Sequence, residues 1–423
     1  MGTFWNEVEA APRGQIEEIQ REGIEEAVRW ATERVSFWRE RLRERGMRPE
    51  EIRSPEDLPK IPLTTKSDLR YQYPLGLSAA PREEIVLFQA TSGTTGRPVI
   101  VPYTKGDLEV WADCVARGLW AAGVRAEDVC LNAYSYGLFT GGLGYHYGAE
   151  RIGCAIIPAS AGYVQRQVLL LRDLGPTVLL STPTYALRIA EEAEGMGVDL
   201  EGLPLKVGHF GAEPWSEGLR KELERRMGIR AHEMYGLTEM RGPGVAFSCE
   251  YFQLHINEDC FYPEVIDPVT EEPLEEGEEG ELVLTPLGRS ALPLLRYRTG
   301  DLTALDRSPC RCGRTLVRMR RVRGRIEEMI VLGRERFFPV DVEEVLLGFP
   351  ELTPHYLIRL LEGEAVRVEV EVREGTLKGK RKGIKEEIRE EIRRKLGIEV
   401  MVELLEQGKI PRSEGKARRV QRG

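Results

Sequence analysis

The eight residues Thr91-Ser92-Gly93-Thr94-Thr95-Gly96-Arg97-Pro98 put four hydroxyls, two glycines and a guanidinium into one short segment, between the apolar run Ile85-Val86-Leu87-Phe88 and the strand-like Val99-Ile100-Val101-Pro102-Tyr103. Glycine lets a backbone turn tightly and present its N–H groups, and the side chains add further donors around the same small volume. That inventory suits a polyphosphate. It is not a Walker loop, because no Gly-Lys-Ser/Thr ends it and no helix start follows directly. A polar turn between two strands is the alternative reading.

Four later stretches also carry more polar chemistry than packing needs. Gly211-Ala212-Glu213-Pro214 follows an apolar run and would let the backbone approach a flat ligand closely. Tyr235-Gly236-Leu237-Thr238-Glu239 joins an aromatic face, a hydroxyl and a carboxylate able to ligate magnesium. Arg298-Thr299-Gly300-Asp301 sets on a turn a carboxylate suited to ribose hydroxyls, and Pro411-Arg412-Ser413-Glu414-Gly415-Lys416 is too polar for a core. Each taken singly is also an ordinary turn; the combination, in this order, is not. Tyr134, Tyr136, Phe139 and Tyr145 offer aromatic walls, with Gly141, Gly142 and Gly144 leaving space for a flat ring. Packing between strands and helices accounts for some of these aromatics. Cys310-Arg311-Cys312-Gly313, with Cys249 and His255 upstream, suits a closed tetrahedral zinc site; Cys260 is a competing ligand and unligated thiols are the alternative.

The elements that must hold these residues read as α/β. Residues 5 to 46 have helical periodicity, and Thr65 is placed to cap a short helix. From Asp107 to Met227 helical segments alternate with the apolar runs 129–131, 154–158, 177–180 and 205–210, which predicts a largely parallel sheet with its ligands at the carboxyl ends of the strands. Residues 251 to 305 read as an antiparallel barrel or sheet, and Arg318 to Arg325 as a boundary. Beyond it, helices at 342–347 and 385–396 flank an alternating strand at 366–372, a small α+β domain.

The chain has 423 residues, 41% of them hydrophobic and 30% charged, with a formal net charge of −9. That balance argues for several domains and against nonspecific nucleic-acid binding. No apolar run reaches the ~20 residues of a membrane helix and no signal-like segment opens the chain, so the expectation is a cytoplasmic protein without a membrane partner. Seven cysteines in such a length make no disulfide scaffold.

Together the motifs resemble the adenylate-forming superfamily of acyl-CoA synthetases and luciferases, and within it the phenylacetate-CoA ligase family. Leu138-Phe139-Thr140-Gly141-Gly142-Leu143-Gly144, Gly211 to Ser216, Pro293 to Asp301 and Ile410 to Ala417 carry the likeness, which runs from about residue 5 to the C-terminus. The resemblance implies an α/β protein: a large N-terminal domain (residues 1–323) of several subdomains with mainly parallel sheets and a β-rich segment, then a small mobile α+β domain (324–423). It implies that Thr91, Ser92, Gly93, Thr94, Thr95 and Gly96 hold the β- and γ-phosphates of ATP. Gly211, Ala212, Glu213, Pro214, Tyr235 and Gly236 would line the adenine site, and Asp301 and Arg325 would take the ribose. Thr238 and Glu239 would act at the reaction centre, Glu239 through magnesium, and Lys416 would reach the carboxylate and α-phosphate. Tyr134, Tyr136, Phe139, Gly141 and Gly142 would form the acid pocket, and the segment around Glu327 would be the hinge that brings in coenzyme A. An aryl-acid substrate and a homodimer are likewise implied.

Three positions depart from the family pattern, the first two bearing on the second step and the third on the phosphate loop. The hinge has Glu327-Glu328 for the usual Asp-Asp, residues 333–339 read Gly-Arg-Glu-Arg-Phe-Phe-Pro for Arg-Gly-Val-Asn-Val-Phe-Pro, and Arg97 stands for lysine. Two other readings therefore stay open: an adenylyltransferase with another acceptor, such as a deazaflavin cofactor, and a noncatalytic nucleotide-binding protein.

Overall fold

The computed structural model describes residues 3–91, 97–362, 365–376, 381–412 and 417–422. Helices α1 (Arg13–Arg34), α2 (Ser36–Glu44) and α3 (Lys66–Tyr71) precede the antiparallel pair β1 (Leu87–Ala90) and β2 (Ile100–Tyr103). The alternating region follows as α4 (Lys105–Ala121), β3 (Val129–Asn132), α5 (Thr140–Ile152), β4 (Ala155–Ile157), α6 (Val164–Leu174), β5 (Val178–Ser181), α7 (Pro183–Gly195), β6 (Val207–Gly211), α8 (Glu217–Met227) and β7 (Arg230–Leu237). Then come β8 (Gly242–Ser248), β9 (Leu254–Ile256), β10 (Phe261–Ile266), β11 (Gly280–Pro286), β12 (Tyr297–Thr303), β13 (Leu305–Asp306) and β14 (Arg318–Met319). The last part holds β15 (Ile330–Leu332), β16 (Glu335–Phe337), α9 (Pro339–Leu346), β17 (Leu352–Leu360), β18 (Val366–Val372), α10 (Arg381–Leu396), β19 (Val400–Glu406) and β20 (Val420–Arg422).

Local chemistry sets several helix starts. Thr65, Thr104, Thr182 and Ser216 each accept the backbone N–H three residues on, at the first turns of α3, α4, α7 and α8. Gly153 and Gly228, both at positive φ, end α5 and α8 in the left-handed conformation that only glycine adopts without strain.

A nine-stranded sheet runs in the order β13-β14-β9-β8-β7-β6-β5-β3-β4. Strands β3 to β7 are parallel and the remainder antiparallel. Period-two alternation splits its side chains between two cores. Cys130, Val178, Leu180 and Val207 pack on the face of α4, while Leu131, Leu179 and Phe210 pack on the face of α6, α7 and α8. The segment expected to be one antiparallel unit divides: β10, β11 and β12 form a three-stranded antiparallel sheet, whereas β8, β9, β13 and β14 extend the large sheet. No barrel forms among the described residues. Arg318, read as the start of a boundary, is still a strand residue paired with His255.

The N-terminal helices are bound by groups far along the chain. Arg13 Nη1 pairs with Glu258 Oε2 at 2.7 Å, and the indoles of Trp30 and Trp38 each donate to a carbonyl, of Ser290 and Pro293, at 2.9 Å. The buried pair Arg314 and Glu9 (2.7 Å) fastens the first turn.

Residues 330–402 build a third core around Val342, Ile358, Val368, Val370, Ile388 and Val402, under the sheet β19-β18-β17-β20. This part docks on α8 by named polar contacts. Buried Glu343 Oε1 accepts from Ser216 N (2.9 Å) and Ser216 Oγ (2.7 Å), and Glu344 accepts from Gly218 N at 3.1 Å. No helix of the described residues is long and apolar enough to cross a membrane.

Candidate active site

The parallel order β4-β3-β5-β6-β7 reverses direction between β3 and β5, and a crevice opens at the carboxyl ends of strands at such a point. Two of the sequence-predicted segments, 211–214 and 235–239, fall there. At the end of β6, a Cβ on Gly211 would overlap the carbonyl oxygen of Met234, so only glycine lets β6 and β7 approach so closely. Ala212 then takes φ +73°, a turn that leaves Ala212 and Pro214 exposed and Glu213 half-buried. The Glu213 carboxylate bridges two chain segments, accepting from Thr184 N through Oε1 and from Ala417 N through Oε2, both at 2.8 Å. At the end of β7, Gly236 has no room for a Cβ beside Gly242, and Thr238 and Glu239 follow on a short 3-10 turn.

A compact polar cluster joins β7, β12 and the start of the last part. Tyr235 Oη donates to Asp301 Oδ2 at 2.6 Å, and Arg325 Nε lies 3.3 Å from Asp301 Oδ1. An isolated backbone bridge also links Asp301 to Arg325. Burial alone would lower the basicity of Arg325, but Asp301, Glu239 and Tyr235 outweigh it and hold its pKa above the usual guanidinium value. Burial, then Asp301, pushes the Tyr235 phenol well up, so this hydroxyl is a donor at neutral pH.

Glu239 is nearly buried. Its Oε1 accepts from Tyr297 Oη at 3.1 Å and lies 3.4 Å from Lys66 Nζ. Sequence reasoning assigned neither Lys66 nor Tyr297. Tyr297 sits in the quoted Pro293–Asp301 motif, and Lys66 follows the Thr65 cap, so their positions were in view and their partners were not. Both contacts use one carboxylate oxygen, leaving Oε2 for a divalent cation; a single carboxylate with phosphate oxygens and water is the ordinary magnesium arrangement.

Around the end of β3, Asn132 Nδ2 donates to Tyr136 Oη (2.9 Å) and to the Gly142 carbonyl (2.8 Å), tying this strand end to the first turn of α5. Tyr136 is half-buried and Phe139 about half exposed, as a wall of an accessible pocket requires. Tyr134 is buried, stacked on Tyr145 at 4.9 Å, and Tyr145 in turn hydrogen-bonds His209 Nδ1 at 3.0 Å. Tyr145 is thus core and not wall. The glycines also differ from expectation. A Cβ at Gly141 would meet the Tyr134 ring at 2.9 Å, one at Gly142 the Ser135 carbonyl at 2.5 Å, and one at Gly144 the Trp111 ring at 2.5 Å. Their missing side chains are filled by the chain itself, so they serve the close packing of α5, a helix that the Tyr/Gly-rich sequence concealed.

Thr91 closes the neck of its segment, its N–H donating to Val99 O and its Oγ1 accepting from Val99 N, each at 3.0 Å. Ser92, Gly93, Thr94, Thr95, Gly96 and Lys416 lie outside the described residues. Exposed Glu327 belongs to a 3-10 turn, residues 326–328, that follows Arg325 directly.

The Cys249, His255, Cys310 and Cys312 ligand atoms all lie within 4.8 Å of one another. Cys249 Sγ is 3.9 Å from Cys310 Sγ, and Cys312 Sγ is 3.4 Å from His255 Nε2. His255 Nδ1 meets the Leu316 carbonyl at 3.0 Å, which aims Nε2 at the thiols. Cys260 is not part of this group; it neighbours Cys114, and the hydrogen bond with that thiol, then burial, raises its pKa.

The AMP-binding enzyme family profile matches residues 26–286, and that of the AMP-binding enzyme C-terminal domain matches 335–422. The phenylacetate-coenzyme A ligase of Thermus thermophilus is 45% identical over 98% of this chain and 98% of its own length. The chain belongs to the phenylacetate-coenzyme A ligase family. Another member, the Escherichia coli phenylacetate-coenzyme A ligase, is 42% identical over 98% of this chain and 96% of its own. Membership places the chain among adenylate-forming acid–thiol ligases. Among solved structures, a 2-hydroxyisobutyryl-CoA ligase in its postadenylation state, bound to 2-HIB-AMP, superposes with a TM-score of 0.95 at 26% identity, covering 100% of this chain and 93% of that one. The same ligase in its thioesterification state gives 0.75 at 27% identity, covering 100% and 92%. The chain's backbone is thus closer to the postadenylation state of that ligase than to its thioesterification state.

Proposed function

We propose that this ligase joins an aromatic or arylalkyl carboxylate to coenzyme A in two steps. A carboxylate oxygen attacks the α-phosphorus of ATP and pyrophosphate leaves. The CoA thiol then attacks the acyl carbon, the acyl–oxygen bond to AMP breaks, and acyl-CoA and AMP result. Two anions must meet in the first step, so fixed donors and cations are needed where charge gathers. Residues 91–96 are the phosphate donors in this reading, Asp301 with Arg325 and Tyr235 takes the ribose, and the Gly211 to Pro214 turn takes the adenine. Lys66 supplies a cation beside Glu239, and Lys416 neutralises the reacting oxygens. Magnesium bound at Glu239 would screen the phosphate charge. The observation that carries the reading is the meeting of Asp301, Arg325, Tyr235 and Glu239 at the carboxyl ends of the strands, with the backbone beside Lys416 bound to Glu213 on the same rim.

The division into residues 1–323 and a mobile 324–423 is part of this proposal, supported by the separate core of residues 330–402. An aryl acid is supported by Tyr136 and Phe139 and by the acid that the relatives' names carry. ATP–pyrophosphate exchange with a panel of acids, followed by a CoA-dependent thioester assay, tests it. Phenylacetate-like acids should lead both assays; acetate or palmitate far ahead of phenylacetate would sink the substrate class. Lys416→Ala should abolish exchange while ATP still binds, and a fully active variant would remove this mechanism. Exchange without thioester would favour an adenylyltransferase and turn attention to the β15–β16 hairpin, where Gly333 at φ +58° and exposed Arg334, Glu335 and Arg336 form the altered loop.

Zinc is the metal proposed for the Cys/His group. Bonds of ~2.3 Å to sulfur and ~2.0 Å to nitrogen put tetrahedral donors about 3.5–3.8 Å apart. The 3.9 Å and 3.4 Å separations fit such edges. A cytoplasmic homodimer completes the proposal, from family resemblance.

A further inference from the structure

A buried side chain that can hydrogen-bond and does not has given up water for nothing, and such groups are rare. Two of them share one face of the β1–β2 pair. Gln89 stands opposite Val101 and Tyr103 opposite Leu87, so strand alternation makes Gln89 and Tyr103 diagonal neighbours on one face, with Phe88 and Pro102 on the other. Both are fully enclosed. Among the described residues, Gln89 Oε1, Gln89 Nε2 and Tyr103 Oη have no hydrogen-bond partner, and the two side chains do not bond each other.

Their neighbours fix the place they occupy. Ala90, next to Gln89, donates its N–H to the Leu138 carbonyl at 2.8 Å, one residue ahead of the pocket wall at Phe139. The Tyr103 ring stacks on Trp111 at 5.1 Å, and Trp111 is the surface on which Gly144 of α5 and Gly242 close. Arg241, Asp107 and Glu239 act on the Tyr103 phenol through their charges, but burial dominates and keeps it protonated. Those three have partners of their own: Arg241 Nε meets Asp107 Oδ1 at 3.2 Å, and Glu239 takes Tyr297 and Lys66. One amide and one phenol are therefore left over between the wall of the acid pocket and the turn that carries Glu239.

We propose that Gln89 and Tyr103 are specificity-determining residues of the acid pocket: they hydrogen-bond a hydroxyl on the ring, so the preferred acid is a hydroxyaryl or hydroxyarylalkyl carboxylate. The proposal rests on the aryl-acid ligase reading and narrows its substrate class. A hydroxyl oxygen accepts from Gln89 Nε2 or the Tyr103 phenol, and its proton goes to Gln89 Oε1. Two neutral side chains suit a neutral hydroxyl better than a second carboxylate or an ammonium, whose charge they could not balance. A site built to bond a hydroxyl discriminates against the analogue that lacks it, because its own polar groups then stay unpaired.

Pyrophosphate exchange by the full-length protein, with phenylacetate and each ring isomer of hydroxyphenylacetate, gives kcat/KM for every acid. At least one hydroxy isomer should exceed phenylacetate by about 10-fold or more. Gln89→Leu removes the amide at similar size and should lower that ratio by about 10-fold or more, with Tyr103→Phe lowering it in the same direction. If Gln89→Leu fails to fold, Tyr103→Phe decides, since it deletes one oxygen alone. Phenylacetate ahead of every hydroxy isomer, or variants that lose activity equally with all the acids, would overturn the proposal. A wild type without exchange on any acid would count against the ligase reading instead. Calorimetric Kd values for the same acids would then decide the pocket: tighter binding of a hydroxy isomer that Tyr103→Phe abolishes supports it, and no such preference overturns it.

Discussion

At the scale of single residues, the Asp301 carboxylate, proposed to take the ribose, is held by a phenol at 2.6 Å and a guanidinium at 3.3 Å. A hydrogen bond to a charged group contributes about 1.5–3 kcal/mol. Asp301→Asn should raise the KM for ATP at least ~10-fold, and Tyr235→Phe should cost less because Arg325 remains; pyrophosphate exchange against ATP concentration checks both. His209 and His232, buried and stacked at 6.3 Å, offer a second residue-level test. Burial first, with neighbouring positive charge, lowers each to about 3 from 6.5. Between those values the unfolded chain binds protons that the folded one refuses, so this stability is complete above pH 6.5 and is lost as pH falls toward 3. With two such groups the slope reaches about 3 kcal/mol per pH unit at most. Chemical denaturation across that window should show the slope, and a His232→Gln variant should flatten it. What the sequence concealed at this scale is partnership. Glu239 and Asp301 were legible as carboxylates after glycine-bearing turns, whereas Lys66 and Tyr297 become neighbours of Glu239 only when segments 173 and 58 residues away from it are brought together. Such long-range contacts leave no local signature.

At the scale of elements, strand–helix alternation was readable because buried parallel strands are short apolar runs; the observed β3, β4, β5 and β6 fall on those runs, and β18 on the alternating stretch 366–372. Helix α5 was missed for a physical reason. Its glycines look like a loop, yet Gly144 and Gly148 are where Trp111 and Val115 of α4 press against it. Gly144→Ala would drive a methyl into Trp111 and Pro243, at 2.5 and 2.7 Å, and should destabilise the protein by about 1–3 kcal/mol, read as a lower urea midpoint. Cysteine spacing gave the four members of the Cys/His group but could not dismiss Cys260, whose fate depends on the turn at Asn257 to Cys260 lying against α4. Because Cys249 and His255 flank the start of β9 while Cys310 and Cys312 precede β14, a metal there would staple the antiparallel edge of the large sheet. Metal analysis of protein purified without chelator should return one zinc per chain. Chelation should lower the melting temperature, and Cys312→Ser should lose both the zinc and the chelator effect; protein free of zinc would reject the site.

At the scale of the whole molecule, two parts meet along α7 and α8, and their meeting is polar and specific: Glu343 on Ser216, Glu344 on Gly218, Arg373 on Glu222 at 2.8 Å. Such contacts suit surfaces that separate and rejoin better than a greasy seam would. Glu343→Ala should leave Ser216 without its partner and weaken docking, and small-angle scattering should report a larger radius of gyration with the fold intact. The opening helices lie at the other extreme of permanence. Ile16, Ile24, Ala27 and Val28 of α1 are fully enclosed, but the groups that receive this helix and its neighbours are Glu258, Ser290, Pro293 and Arg314. At about 5–20 residues per second a ribosome needs roughly 15–60 s to reach residue 314. For that interval α1 can lean only on its neighbours between residues 36 and 60, its distant polar partners still unmade, so the docking of the helix is completed only once the β-rich segment has emerged.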